Sequence, residues 1–192
     1  MQRISALWHE SPLKIVSALF VLSLAAMMAV ASGASFTATS ANAGNIITAG
    51  TMSHSNSKAG STILNVTGLK PAQSDSGTVD ITNTGDSAGV FTLTKSNVLD
   101  GDTANPLSSK LDLLVEDLGP PSAPTAPQQR YAGRVGAMGA IGLGTYTAGE
   151  AHRYKFTVTF PDGGVPSGPT TGDNAYKGDN VTVDYNWESV SS

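Results

Sequence analysis

Cysteine is absent from this 192-residue chain. That excludes a disulfide framework and a thiol nucleophile, so the fold has to stand on its core alone. One Gly-x-Ser-x-Gly sequence is present, Gly85-Asp-Ser87-Ala-Gly89, but an alternating segment follows it where an α/β-hydrolase nucleophile elbow needs a helix, so that signature is missing. Histidine occurs three times, and no His-Glu-x-x-His sequence is present, so the common helical zinc-peptidase motif is missing as well. Apolar runs are also scarce. One runs from Ile15 to Ala31, and no second span follows that would hold a multipass membrane protein. Beyond residue 36 there is no helical periodicity, which points to an all-β body.

What is present begins with that one apolar run. It holds 17 residues without a charge, preceded by Arg3 and Lys14 and followed by Ser32-Gly33-Ala34-Ser35. This order of basic, apolar and small residues predicts a secretory signal helix over residues 1–35. Cleavage after Ala34, after Ser35 or after Ala43 fits the small-residue rule. The tripeptide Ala41-Asn42-Ala43 is spelled best but stands 12 residues past the run, so the mature chain is expected to begin near Phe36. A retained anchor is the alternative, because 17 residues reach the lower limit of a spanning helix.

Losing residues 1–35 takes away Arg3, Lys14 and Glu10 and leaves 9 basic and 14 acidic side chains, a formal charge of −5. The nine basic residues are scattered singly from Lys58 to Lys177. Nucleic-acid binding draws on clustered Lys and Arg, so no nucleic-acid partner is expected. A secreted, cysteine-free chain suits a thick-walled bacterial surface, and the expected location is the cell surface or the extracellular matrix. There the sequons at Asn65-Val-Thr67 and Asn180-Val-Thr182 read as strand-edge residues.

Short alternating segments recur between Gly, Pro, Asn and Asp clusters. Strands are predicted at 62–69, 77–82, 89–98, 111–118, 153–160 and 181–187, with weaker ones among the glycines of 130–148. Asn83-Thr-Gly85-Asp86 reads as a hairpin turn. Residues 119–129 hold four prolines and predict an exposed loop inside one domain spanning 36–192. Tyr154, Phe156, Val158 and Phe160 share one face of their strand, as do Val181, Val183, Tyr185 and Trp187. Such stripes bury one sheet against another. The predicted fold is therefore a β-sandwich of about seven to nine strands, of jelly-roll or immunoglobulin-like type.

Several of these segments occur in an order that resembles the TasA and camelysin family. They are Ala34-Ser-Phe36-Thr, Gly44-Asn45-Ile-Ile-Thr-Ala49-Gly50-Thr51, Leu69-Lys-Pro71, Val79-Asp-Ile-Thr-Asn83-Thr-Gly85 and Asn174-Ala-Tyr176-Lys-Gly178. In that family a dedicated signal peptidase cuts before a Phe-containing start, and an Asn-x-Phe-x-Ala-Gly-Thr element follows. Here Ile47 stands where the family often carries an aromatic. The family's closing strand is matched by Val181 to Trp187, whereas residues 100–150 are unmatched. The resemblance implies a secreted β-sandwich that is either a subunit of extracellular biofilm fibres or, as in camelysin, a metallo-endopeptidase.

The residues themselves offer little chemistry, and neither a cofactor nor a catalytic or metal-ligating set is expected. Beyond residue 35 only His54 and His152 remain, and Glu150-Ala-His152 is the single pairing that could aim two ligands one way. A solvated His152 at the start of its strand is the simpler reading. Asp100-Gly-Asp102-Thr-Ala-Asn105 could offer oxygens to calcium but lacks the distal Glu of an EF-hand, and reads as an Asx-turn. The aromatic stripe could be a carbohydrate platform, though its alternation with polar residues reads as core.

Assembly is the remaining route. Residues 36–52 are small, uncharged and β-tolerant, with Phe36, Ile46, Ile47, Ala49 and Gly50 as candidate contacts. Such a segment suits strand addition to a neighbour's sheet edge, and head-to-tail contact of that kind grows fibres. The expected partner is a second copy of the chain, with other matrix proteins and the processing peptidase beside it. Pairing as an edge strand of its own domain, and a monomeric surface adhesin, stay open as alternatives.

Overall fold

The computed structural model describes residues 16–22 and 50–192. Compactness divides the chain into two units, Met1–Ile47 and Thr48–Ser192. In the first, residues 16–22 are helical. No described helix is long and apolar enough to cross a membrane.

The second unit is all-β. Eight strands run in chain order as β1 His54–Asn56, β2 Ser74–Asn83, β3 Gly89–Asp100, β4 Asp112–Asp117, β5 Gln128–Arg134, β6 Ile141–Tyr146, β7 Ala151–Thr159 and β8 Val181–Ser191. They form two antiparallel sheets, one ordered β1-β2-β7-β4-β5 and the other β6-β3-β8. Period-2 alternation decides which side chains turn inward. Val79, Ile81, Leu113, Val115, Tyr154, Phe156 and Val158 come from the five-stranded sheet, and Phe91, Leu93, Leu143, Tyr146 and Trp187 from the three-stranded one. All belong to one core cluster. Phe156 of β7 reaches across to β8, with ring centroids 4.8 Å from Tyr185 and 6.2 Å from Trp187. The aromatic stripe is thus packing, since Tyr154, Phe156, Phe160 and Trp187 are all buried.

Two sequence expectations are corrected. Residues 62–69 form no strand: their half-buried apolar residues Ile63, Leu64, Val66 and Leu69 do not keep period 2, and Gly68 takes a positive φ of 67° that breaks the extended backbone. The turn at 83–86 is no hairpin either: β2 and β3 lie in different sheets, so the chain crosses between layers there. The proline-rich stretch is an irregular connection between β4 and β5, which pair with each other, as a long loop within one sheet.

Candidate functional site

The edges of the sheets decide where another chain could bond. β8 pairs with β3 on one side, and its other edge has no strand partner among the described residues. Along that edge runs a groove of about 1060 Å³. One wall is β8, through Val181, Val183, Tyr185 and Trp187, and the other is the non-strand segment 62–69. Leu113, Val158 and Phe160 also line it, so the groove opens onto the core of the sandwich. Trp187 is 8% exposed, and its buried indole N–H has no acceptor among the described residues. A buried donor left unpaired is costly, and this one stands on the groove wall.

Of the predicted contact residues, Phe36, Ile46, Ile47 and Ala49 lie outside the described residues. Gly50 is exposed and packs so close to the β2–β3 crossing that an added Cβ would come 1.9 Å from Ser87 Oγ. Beside it Thr51 donates its N–H to Asp86, and that bond, chiefly, holds the Asp86 carboxyl below its ordinary range. β1 follows. His54 on it reaches Ser189 of β8 at 2.8 Å through Nδ1, joining the two sheets at this end.

His152 is where sequence reasoning was wrong. Its side chain is 18% exposed rather than solvated. Nδ1 lies 2.9 and 3.0 Å from the two carboxylate oxygens of Asp117, and Nε2 lies 3.1 Å from Glu150 Oε1. Glu150 and His152 do come together, as their spacing suggested, but each ring nitrogen faces a carboxylate instead of converging with it. Asp117 also accepts Arg130 Nη2 at 2.7 Å and the Gly119 N–H at 2.8 Å. Burial opposes ionisation of Asp117, whose side chain is 3% exposed. The bonds from His152, Gly119 and Arg130 outweigh that and hold its carboxyl below the usual value. Glu150 is lowered too, first by the Thr147 N–H and also by His152. The His152 ring stacks on Tyr146 at 4.5 Å, and Tyr146 on Phe91 at 4.3 Å. Burial pushes the Tyr146 hydroxyl up to about 12. The Tyr154 hydroxyl, bonded to it, is raised further by burial. Arg130 and Asp117 were not singled out by the sequence, since neither lies near His152 in the chain.

The acidic loop residues are spread over separate local tasks. Asp100 accepts from Ser108 N at 2.6 Å and Oγ at 2.7 Å. Asp102 closes an Asx-turn on Ala104 N at 2.8 Å. Asp173 pairs with Lys110 Nζ at 2.8 Å. Among the described residues no group of three or more His, Cys, Asp or Glu is arranged to hold a metal ion. No protein-family model and no curated protein matches the chain.

Proposed function

We propose that the protein is a secreted structural subunit of extracellular fibres or biofilm matrix, whose copies join when the N-terminal segment of one adds a strand to the next. The observation that carries this is a gap in the strand pairing. A long hairpin of eight strands, rolled into two sheets as in a jelly roll, pairs 4 with 5, 3 with 6, 2 with 7 and 1 with 8. Here the first three pairings are made, while β1 turns aside to β2 and the outer edge of β8 has no partner among the described residues. We read the body as a jelly roll short of one strand. An extended segment bonded to β8 would complete the three-stranded sheet, bury the groove and give the Trp187 N–H a carbonyl.

The residues suited to supply that strand are 36–50. They are uncharged, carry Phe36, Ile46 and Ile47 as large apolar side chains, and precede β1 directly. Main-chain hydrogen bonds then give affinity, and alternate side chains in the groove give register. Each subunit would give its segment to the β8 edge of the next, so contacts run head to tail and do not close.

The test is deletion of residues 36–50 from the mature chain. A folded monomer that forms no filaments by negative-stain electron microscopy is the expected result, and undiminished filaments would end the reading. A chelator arm separates the peptidase alternative, which requires chelator-sensitive cleavage of casein that disappears in His152→Ala. A monomeric adhesin would show neither filaments nor cleavage.

A further inference from the structure

Residues 62–69 carry strand-forming residues but have the bonding of no strand. Ile63, Leu64, Val66 and Leu69 are half-buried against the core, while Thr62, Asn65 and Thr67 are exposed. Yet no backbone N–H or C=O of these eight residues hydrogen-bonds to another described residue. The stretch is held at its ends instead. Ser57 N donates to Asp80 O at 3.0 Å on one side, and Lys70 N to Gln73 Oε1 at 3.1 Å on the other. Between these ties the Ile63 carbonyl rests on the inner face of β2 at Gly77, where a Cβ would stand 1.8 Å from the oxygen. The absent side chain of Gly77 makes the seat.

This stretch is one wall of the groove and β8 is the other. Its hold on the groove comes from four half-buried apolar side chains and lacks a ladder. A strand bonded to β8 would bring apolar contact and main-chain bonds together.

We propose that residues 62–69 are a resident plug, which narrows the groove along β8 in the free subunit and shifts aside for the N-terminal segment of another copy. The inference rests on the strand-exchange reading and adds its regulation: the plug shields an apolar sheet edge until a partner arrives. Exposed edges of that kind invite uncontrolled pairing.

Because the chain has no cysteine, Leu64→Cys places a single thiol in the plug. Its rate of reaction with a thiol reagent is measured in the mature chain lacking residues 36–50, alone and with a synthetic peptide of residues 36–50. The thiol is expected to react slowly in the free subunit and severalfold faster when the peptide is bound. Gly77→Ala supplies the converse. Its backbone is compatible with alanine, but the new Cβ collides with the Ile63 carbonyl and unseats the plug. The peptide should bind that variant severalfold more tightly, and in its background the Leu64→Cys thiol should react fast without peptide. Peptide that binds while the thiol rate stays unchanged overturns the plug and leaves strand exchange standing. Peptide that binds neither protein overturns strand exchange, and the plug with it. Should Gly77→Ala not fold, the thiol measurement in the Leu64→Cys chain decides alone.

Discussion

The side-chain amide of Asn83 donates to the carbonyl oxygen of Tyr146 at 3.0 Å, joining the last residue of β2 to the last residue of β6 across the two sheets. Its other N–H reaches Ser87 O at 2.9 Å, and its Oδ1 accepts from Gly85 N at 3.0 Å. The backbone of Asn83 bonds to Glu150 O and Gly149 N, each at 2.9 Å. The residue is completely buried, and every polar group it carries is used. The chain crosses from one sheet to the other directly after it, so this amide fixes where the layers meet.

Replacing Asn83 by Leu takes the partner from two buried groups, the Tyr146 carbonyl and the Gly85 N–H, and from the half-buried Ser87 carbonyl. An unpaired buried group costs about 1–3 kcal/mol, so Asn83→Leu is expected to lose about 3 kcal/mol or more in urea unfolding, with an unchanged slope. Asn83→Asp keeps the acceptor for Gly85 and should fall between wild type and Leu. A loss below about 1 kcal/mol for Leu would mean that these groups find other partners, and that the cross-sheet tie is not what holds this corner.

The Asp117 network sets the acid side of stability. Asp117 and Glu150 both have carboxyls lowered by folding. A lowered carboxylate stabilises the fold above its unfolded value and loses that contribution as pH falls through the folded one. The melting temperature should therefore hold from neutrality down to about pH 4 and fall below it, where unfolded Asp and Glu protonate near 4 and the folded pair lower still. Asp117→Asn should flatten that fall. It should also destabilise the protein by about 3 kcal/mol at neutral pH, because Arg130 and His152 lose their buried partner. A melting curve as steep in acid for Asp117→Asn as for wild type would place the acid-sensitive group elsewhere.

The strands most legible in the sequence were those whose apolar stripe meets the facing sheet. β4 and β7 lie within a residue or two of where Leu113, Val115, Tyr154 and Phe156 placed them, because period 2 is a local property. Sheet membership is not local. Asn83-Thr-Gly85 announces a turn but carries no mark of whether the next strand pairs with the last or crosses to the other layer. Residues 62–69 lack the strict period of β7, with half-buried apolar side chains at 63, 64, 66 and 69 and Gly68 at a positive φ of 67°, and no described strand pairs with them. His152 was misread for a related reason. Asp117 lies 35 residues from it and reaches it only because β4 and β7 pair, which brings Asp117 opposite Tyr154. The unpaired edge of β8 could not be read at all before the strand order was known. The sequence stripe of Val181, Val183 and Tyr185 showed an inward face and gave no hint that a groove runs beside it.

Trp187 sets the needs of the core against those of the proposed strand addition. In the free subunit its indole N–H is buried without an acceptor among the described residues, an arrangement that costs about 1–3 kcal/mol relative to a bonded one. Trp187→Phe removes the donor and keeps an aromatic side chain against Phe156, at the expense of some buried volume. The monomer should thus lose little, within about 1.5 kcal/mol by urea unfolding, since hydrophobic swaps near the original volume are mild. Assembly should respond in the other direction. If a strand beside β8 supplies the Trp187 N–H with a carbonyl, the variant forgoes that bond, and binding of the 36–50 peptide should weaken about fivefold, the equivalent of about 1 kcal/mol. Monomer stability and peptide affinity measured on the same preparation decide the matter. A variant destabilised by several kcal/mol yet binding the peptide as well as wild type would show that Trp187 serves the core and takes no part in recognising the incoming strand.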